Sequence, residues 1–212
     1  MISHCPGTKE EPSGAINWKD LDISDIYLKG RNLEIDGGVV SGEVKSLSFT
    51  EKSGFRAANI SGRTKVGNGL TLVRNLRIDD GMSGISMTEF SMSYENSKSF
   101  SDFVNKVSLH AEIEPSGLNM ESLAFFAGSL SGMDLDVTLE GGLDGTVSDF
   151  SLKGLKVSGN RDGFRATLDG SISGLPETDR MNLNLRLGDA SFTRGELESL
   201  IMGFSPGSRL GI

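Results

Sequence analysis

Apolar and polar residues alternate along most of this chain. Residues 39–49 and 55–66 are two such runs, and Thr50-Glu51-Lys52-Ser53-Gly54 lies between them. A period of two predicts half-buried strands, and a Gly closing a four- or five-residue connection predicts a hairpin. Before this hairpin, Ile26 and Leu28 and then Leu33 and Ile35 predict two short strands, and Gly37-Gly38 predicts a turn. After it, Gly67-Asn68-Gly69 holds the Asn-Gly pair that favours tight hairpins. Leu70, Leu72, Leu76 and Ile78 then keep period two, with Arg74 in the slot between. Ile85 and Met87 are out of phase with Phe90, Met92 and Tyr94, which predicts a bulge near Thr88-Glu89. Val107, Leu109, Ala111 and Ile113 predict the next strand, and Met133, Leu135, Val137 and Leu139 another. Two hairpins follow, through Val157 and from Phe164 to Ile172, before Leu183, Leu185 and Leu187.

Three segments change period. Phe100, Phe103 and Val104 are spaced for a short helix over residues 99–106, with Ser99 as its N-cap. Asn119 caps a second over residues 119–128, where Leu123, Phe126 and Ala127 form the apolar stripe. Thr193 and Glu196 have capping-box spacing for a third, ending near Ile201. Residues 1–15 read as a linker or disordered leader, 16–202 as one β-rich segment, and 203–212 as a linker or truncated end. Within that segment, Ile23-Ser24-Asp25-Ile26-Tyr27-Leu28-Lys29-Gly30 is echoed by Val147-Ser148-Asp149-Phe150-Ser151-Leu152-Lys153-Gly154. Gly54-Phe55-Arg56-Ala57 is echoed by Gly163-Phe164-Arg165-Ala166. The order suggests an internal repeat, about 23–66 and 147–174, and hence an elongated stack. Convergence on shared turn chemistry is the alternative to that repeat.

Composition narrows the classes. The 212 residues include 28 Gly and only 5 Pro, as many short turns require. A net charge of −8 argues against nucleic acid, which selects a basic stripe. Hydrophobic residues make up 36 %, too few to cover a sheet on both faces. Cys5 is the only cysteine, so no internal disulfide forms. The N-terminal residues have neither the basic nor the apolar region of a signal peptide, and Cys5 lacks a lipoprotein context. The chain therefore reads as cytosolic or as a piece of a longer exported protein.

Candidate chemistry is sparse. His4 and His110 are the only histidines and read as surface residues; with one Cys they supply neither a zinc set nor a nucleophile–base pair. Asp134 and Asp136 share a face that reads as solvated. Gly141-Gly142-Leu143-Asp144-Gly145 is a single glycine-rich turn, not a calcium-binding repeat array. Gly67-Asn68-Gly69 has no following helix to make a phosphate loop. Asn59-Ile60-Ser61 matches a glycosylation triplet, a pattern that also arises by chance. The chain is therefore read as non-enzymatic, with no cofactor and no metal.

The fold expected is all-β: an elongated, curved, mostly antiparallel sheet of stacked hairpins, with a few short helices. Its dry face must meet another sheet, curl on itself or meet lipid. Leu70, Leu72, Leu109, Ile113, Leu135, Val137, Leu139, Leu183, Leu185 and Leu187 are expected to line one continuous apolar groove.

The run Ser24-Asp25-Ile26-Tyr27-Leu28-Lys29-Gly30, then Val44 to Gly62, resembles the periplasmic portion of TamB-like translocation and assembly proteins of the Bacteroidota type. Residues 99–104, 118–127, 168–176 and 193–200 continue the resemblance, which covers about Ile16 to Ile201. It implies an AsmA-like bridging protein with an inner-membrane anchor and a β-taco through the periplasm, contacting an outer-membrane barrel of the BamA/TamA type. It also implies roles in outer-membrane protein assembly and phospholipid transport, with acyl chains as cargo and no catalytic residues. On that resemblance the chain is an internal segment, without the anchor or the C-terminal domain. The competing reading is an extracellular adhesin-like or passenger β-solenoid that binds protein or glycan.

Overall fold

A computed structural model describes residues 16–17, 20–126, 131, 135–159, 164–175 and 180–191. Ten strands of the described residues form one open sheet, each antiparallel to its neighbours in sequence. They are β1 (Ile23–Asp36), β2 (Val39–Glu51), β3 (Arg56–Gly67), β4 (Leu70–Asp79) and β5 (Gly84–Ser93), followed by β6 (Ser108–Asn119), β7 (Asp136–Thr146), β8 (Asp149–Gly159), β9 (Arg165–Ser173) and β10 (Asn182–Ser191). The all-β, curved, antiparallel expectation holds. Most of the connections are too short for a crossover, so the strand simply folds back on the one before, and the two longer ones, after β5 and β6, also return antiparallel. The β3–β4 turn shows the local cause. Asn68 and Gly69 have φ of 53° and 73°, the pair of positive values that a type I′ turn requires.

Residues 23–36 form one strand, not two. Asp25 and Asn32 take φ of 52° and 53°, so the chain absorbs each phase change as a bulge and continues. This device recurs across the sheet. Every neighbouring pair except β4–β5 carries at least one register shift. The expected bulge in β5 is one of them: β6 is out of step between Met87 and Glu89. Bulges increase right-handed twist, and repeated over ten strands they coil the sheet.

The two faces differ in kind. Rows of paired residues such as Ile35–Val40–Val66–Thr71–Met92–Leu109 define an apolar face. The opposite face carries a row of charge, Arg31–Glu43–Arg63–Arg74–Glu89–Glu112. Glu43 bonds to Arg31 at 2.5 Å and to Lys45 at 2.5 Å, and Arg74 to Glu89 at 3.3 Å. Hydrogen bonds from Arg31 and Lys45 hold the Glu43 carboxyl down to about 2. Farther along this face, Asp144 receives Lys153 and lies 2.7 Å from His110 Nδ1. Its carboxyl is lowered by these two partners, Lys153 foremost.

Two helical segments interrupt the meander. A 3₁₀ helix over Ser97–Asp102 runs into α1 (Phe103–Lys106), between β5 and β6. Its cap is Asn96, whose side chain accepts from Lys98 N at 2.9 Å; Ser99, the expected cap, is buried inside the first turn. α2 (Met120–Ala124) follows β6 and is capped by Asn119, as expected, through a 2.8 Å bond from Glu121 N. The helix expected over residues 193–201 lies outside the described residues.

The core sits beneath α2. Leu118, Val137 and Phe164 are buried there, with Ile85, Met120, Leu123, Leu135, Leu139 and Val157 packed against them. The first echo falls on β1 and across the β7–β8 turn, and the echoed Phe-Arg-Ala opens β3 and β9. Gly170 in β9 has φ +142° and backs directly onto the Asn184 carbonyl oxygen of β10, so a Cβ would clash with backbone. Gly170→Ala is expected to destabilise the protein by about 2 kcal/mol through strain and loss of β9–β10 pairing. Urea unfolding measures it, and an unchanged midpoint contradicts this role for Gly170.

Candidate functional site

Among the described residues, the apolar face is buried at its centre and exposed at its two edge strands, β1 and β10. On β1, Ile26, Leu28, Leu33 and Ile35 point to it, and Leu33 and Ile35 are 72 % and 73 % exposed. On β10, Leu183, Leu185 and Leu187 lie opposite Ile172, Gly170 and Leu168 on the same face, and Leu187 is 53 % exposed. Between these edges the face is continuous through Leu47, Ile60, Ile78, Ile85 and, by register, Leu143, Leu152 and Leu168.

The short helices sit on this face at opposite ends of the strands. Tyr94 continues the apolar phase of β5, and its hydroxyl lies 3.4 Å from Thr71 Oγ1. Phe100 packs on Tyr94 at 4.7 Å and stacks on Phe103 at 6.3 Å, and Val104 accepts a bond from Ser148 N in the β7–β8 turn. This segment therefore reaches from β5 to β8. At the other end, α2 brings Phe125 and Phe126 within 5.7 and 5.1 Å of Phe55 in the β2–β3 connection. Phe100, Phe103, Leu123 and Phe126, the apolar residues of the two expected helices, thus gather on the apolar side, with Phe100 and Phe126 about two-fifths exposed (42 % and 39 %).

The ten residues expected to line the groove divide into three groups. Leu183, Leu185 and Leu187 lie exposed on the apolar face, where Leu109 is half-buried and Ile113 is buried. Leu135, Val137 and Leu139 share that face but belong to the closed core beneath α2. Leu70 and Leu72 are a correction: they lie on the opposite face, paired with Gly67 and Lys65 on one side and Ser93 and Ser91 on the other. The cause is Asn75. At φ 50° it inserts a bulge between Arg74 and Leu76, so Val73 and Thr71 take the apolar positions that even spacing would assign to Leu72 and Leu70. Val73 is the clue within the sequence, as an apolar residue in what even spacing makes a polar slot. β1 is continuous for the same reason. The odd interval from Leu28 to Leu33 marks a slip inside one strand rather than a break between two.

Glu51 organises the α2 end. It is 3 % exposed, yet its carboxylate accepts from Ser53 N at 2.8 Å and Asp22 N at 3.3 Å. Burial pushes its pKa up; the hydrogen-bonding groups of Ser53 and the N–H groups of Asp22 and Lys52 outweigh burial and bring it below the ordinary carboxylate value. The charged form is thus stabilised by folding, and it ties the start of β1 to the β2–β3 connection. Among the described residues, no group of three or more His, Cys, Asp or Glu is placed to hold a metal ion, and no helix is long and apolar enough to cross a membrane. Comparison with protein families, curated proteins and solved structures found no match.

Because Glu51 has a lowered folded pKa, its contribution is present above the unfolded carboxyl pKa and is lost as pH falls through the folded value. Glu51→Ala is expected to cost about 2 kcal/mol at pH 7, the range for hydrogen bonds to a charged group. The gap from the unsubstituted protein should shrink below about pH 4. Denaturant titrations at pH 7 and pH 3 check both parts, and a gap that widens in acid contradicts the assignment.

Proposed function

We propose that this chain is a non-enzymatic segment of a TamB/AsmA-like periplasmic bridge between inner and outer membranes, whose apolar face carries phospholipid acyl chains. The observation that supports the reading is the set of apolar side chains left exposed, among the described residues, at the two edges of the apolar face, on β1 and on β10. Apolar side chains left this open on adjacent strands mark a surface that meets a partner. Fully burying each one contributes about 1.5–3 kcal/mol. An acyl chain needs only continuous hydrocarbon, without directed hydrogen bonds. The charged opposite face keeps such a sheet wetted by the aqueous periplasm.

On this reading the sheet is one section of a longer conduit. Partners such as a BamA/TamA-type outer-membrane barrel, and any part in outer-membrane protein assembly, belong to other parts of the parent protein. The open edges suit this reading: β1 and β10 each have one side with no paired strand among the described residues, so a further strand can extend the sheet and its apolar face together.

Photocrosslinking side chains at Leu28 and Leu185, in the full chain mixed with phospholipid vesicles, test the reading. Phospholipid capture at both positions is expected, with none at Arg186 on the charged face. Leu187→Asp places a carboxylate among neighbouring hydrocarbon and is expected to reduce capture at Leu185 severalfold, because an unpaired charge resists desolvation. Circular dichroism confirms that the variant folds. Equal capture at Leu185 and Arg186, or crosslinks to protein alone, refutes the conduit.

A further inference from the structure

The two halves of the sheet repeat one unit, and β1 lacks a neighbour that its counterpart has. Phe55-Arg56-Ala57 leads into β3, and Phe164-Arg165-Ala166 leads into β9. Both hairpins close on the same backbone bond: Glu51 N donates to Phe55 O at 2.8 Å, and Gly159 N to Phe164 O at 3.1 Å. In both, the Ala pairs with the apolar residue two positions before that donor, Ala57 with Phe49 and Ala166 with Val157. β2 and β3 are therefore the counterparts of β8 and β9, which makes β1 the counterpart of β7. β1 and β7 each carry a glycine beside a register shift in mid-strand, Gly30 and Gly142. β7 has β6 on its other side, whereas β1 has no strand there among the described residues.

β6 shows the pattern that this position takes. Leu109, Ala111 and Ile113 lie on the apolar face, and His110, Glu112 and Glu114 alternate with them. The edge of β1 offers matching chemistry. Ile26, Leu28, Leu33 and Ile35 stand exposed on the apolar face. On the other face Lys29 has no ion-pair partner among the described residues, and Arg31 is more than half exposed beside Glu43. An edge strand with this much open backbone and hydrocarbon is a template for strand addition. We propose that the outer edge of β1 accepts, antiparallel, an extended segment of another polypeptide, in which apolar residues on the dry face alternate with acidic residues on the face of Lys29 and Arg31. Backbone hydrogen bonds supply the affinity, and the alternation fixes which face each side chain takes. Glu114-Pro115-Ser116-Gly117 of β6 recurs as Glu11-Pro12-Ser13-Gly14, but Pro6-Gly7-Thr8-Lys9-Glu10 ahead of it lacks the alternation. A second copy cannot give up its β6, which is paired on both sides. The inference specifies the strand that extends the sheet at β1, and it does not depend on what the apolar face carries.

The test adds a peptide with the sequence of Ser108–Asn119, blocked at both ends, to the full chain. Amide hydrogen exchange is read residue by residue by NMR. One-to-one binding is expected, with exchange slowed at least about tenfold at the β1 amides that β2 does not hold, and unchanged in β10. A peptide of the same composition with the alternation scrambled is expected not to bind. Lys29→Glu in the protein is expected to weaken the peptide about fivefold, and a peptide carrying Glu112→Lys and Glu114→Lys is expected to recover affinity for that variant while binding the unsubstituted protein about fivefold more weakly. Lys29 lies on an exposed edge, and circular dichroism checks that its variant folds. No binding, slowing at β10 in place of β1, equal binding of the scrambled peptide, or an affinity indifferent to charge at Lys29 overturns the proposal. Slow exchange along the outer edge of β1 in the chain alone also overturns it. If constant, it assigns the edge to the chain's own N-terminal residues; if it strengthens with protein concentration, it assigns the edge to a second copy. Phospholipid capture at Leu185 is read without the peptide, so the edge site and the conduit fail separately.

Discussion

An antiparallel sheet with one dry face has to hide that face, and among the described residues ten strands share two short helical segments as cover. The hydrophobic effect is therefore satisfied unevenly. Beneath α2, Leu118, Val137 and Phe164 are buried and hold the central strands together. At β1 the same kind of side chain stands open, with Leu33 and Ile35 mostly exposed. The stable part of the molecule and the part available to a partner are thus opposite extremes of one surface. Position within the curled sheet separates them: the central strands are buried and the edge strands are open.

Curvature lets so little cover reach so far. A flat sheet would place the β2–β3 connection three strand spacings from the end of β6, about 14 Å. Here Phe55 touches Phe125 and Phe126 at 5.7 and 5.1 Å, so one aromatic contact closes the α2 end over the strands between. The bend comes from bulges, several of which form at residues that take positive φ: Asp25, Asn32, Asn75, Gly154 and Asp189. Each bulge also reverses which side chains meet the dry face. Bending the sheet and choosing its lining are therefore the same event.

Electrostatics acts on the other face and at the rim. The charged row crossing β1 to β6 keeps that face in water, where exposed pairs such as Arg74–Glu89 add little stability. Glu51 differs, because it is buried and bonded to backbone. It stabilises the geometry of the α2 end, where Asp22 N and Ser53 N both donate to its carboxylate. The acidic net charge of −8 thus has two uses: solvation on one side, and at Glu51 and Asp80 a local fixing of turns.

Local chemistry made much of this fold legible in the sequence. Alternation marked the strands, Asn68-Gly69 and Gly37-Gly38 marked turns, and Asn119 marked the start of α2, because each depends on neighbours a few residues away. The slip at Thr88-Glu89 was legible for the same reason: apolar residues stood on both sides to show the change of phase. The slip at Asn75 was not, since Leu70, Leu72, Leu76 and Ile78 are evenly spaced and conceal it. Only the pairing of Val73 with Thr64 and Phe90 decides that Leu70 and Leu72 face outward. Nor could periodicity separate Val137 from Leu185. Both alternate with polar residues, yet one is sealed and the other open, because burial depends on whether α2 packs overhead. Alternation is a property of a strand, whereas cover and register are properties of its neighbours, and those are settled when the sheet curls.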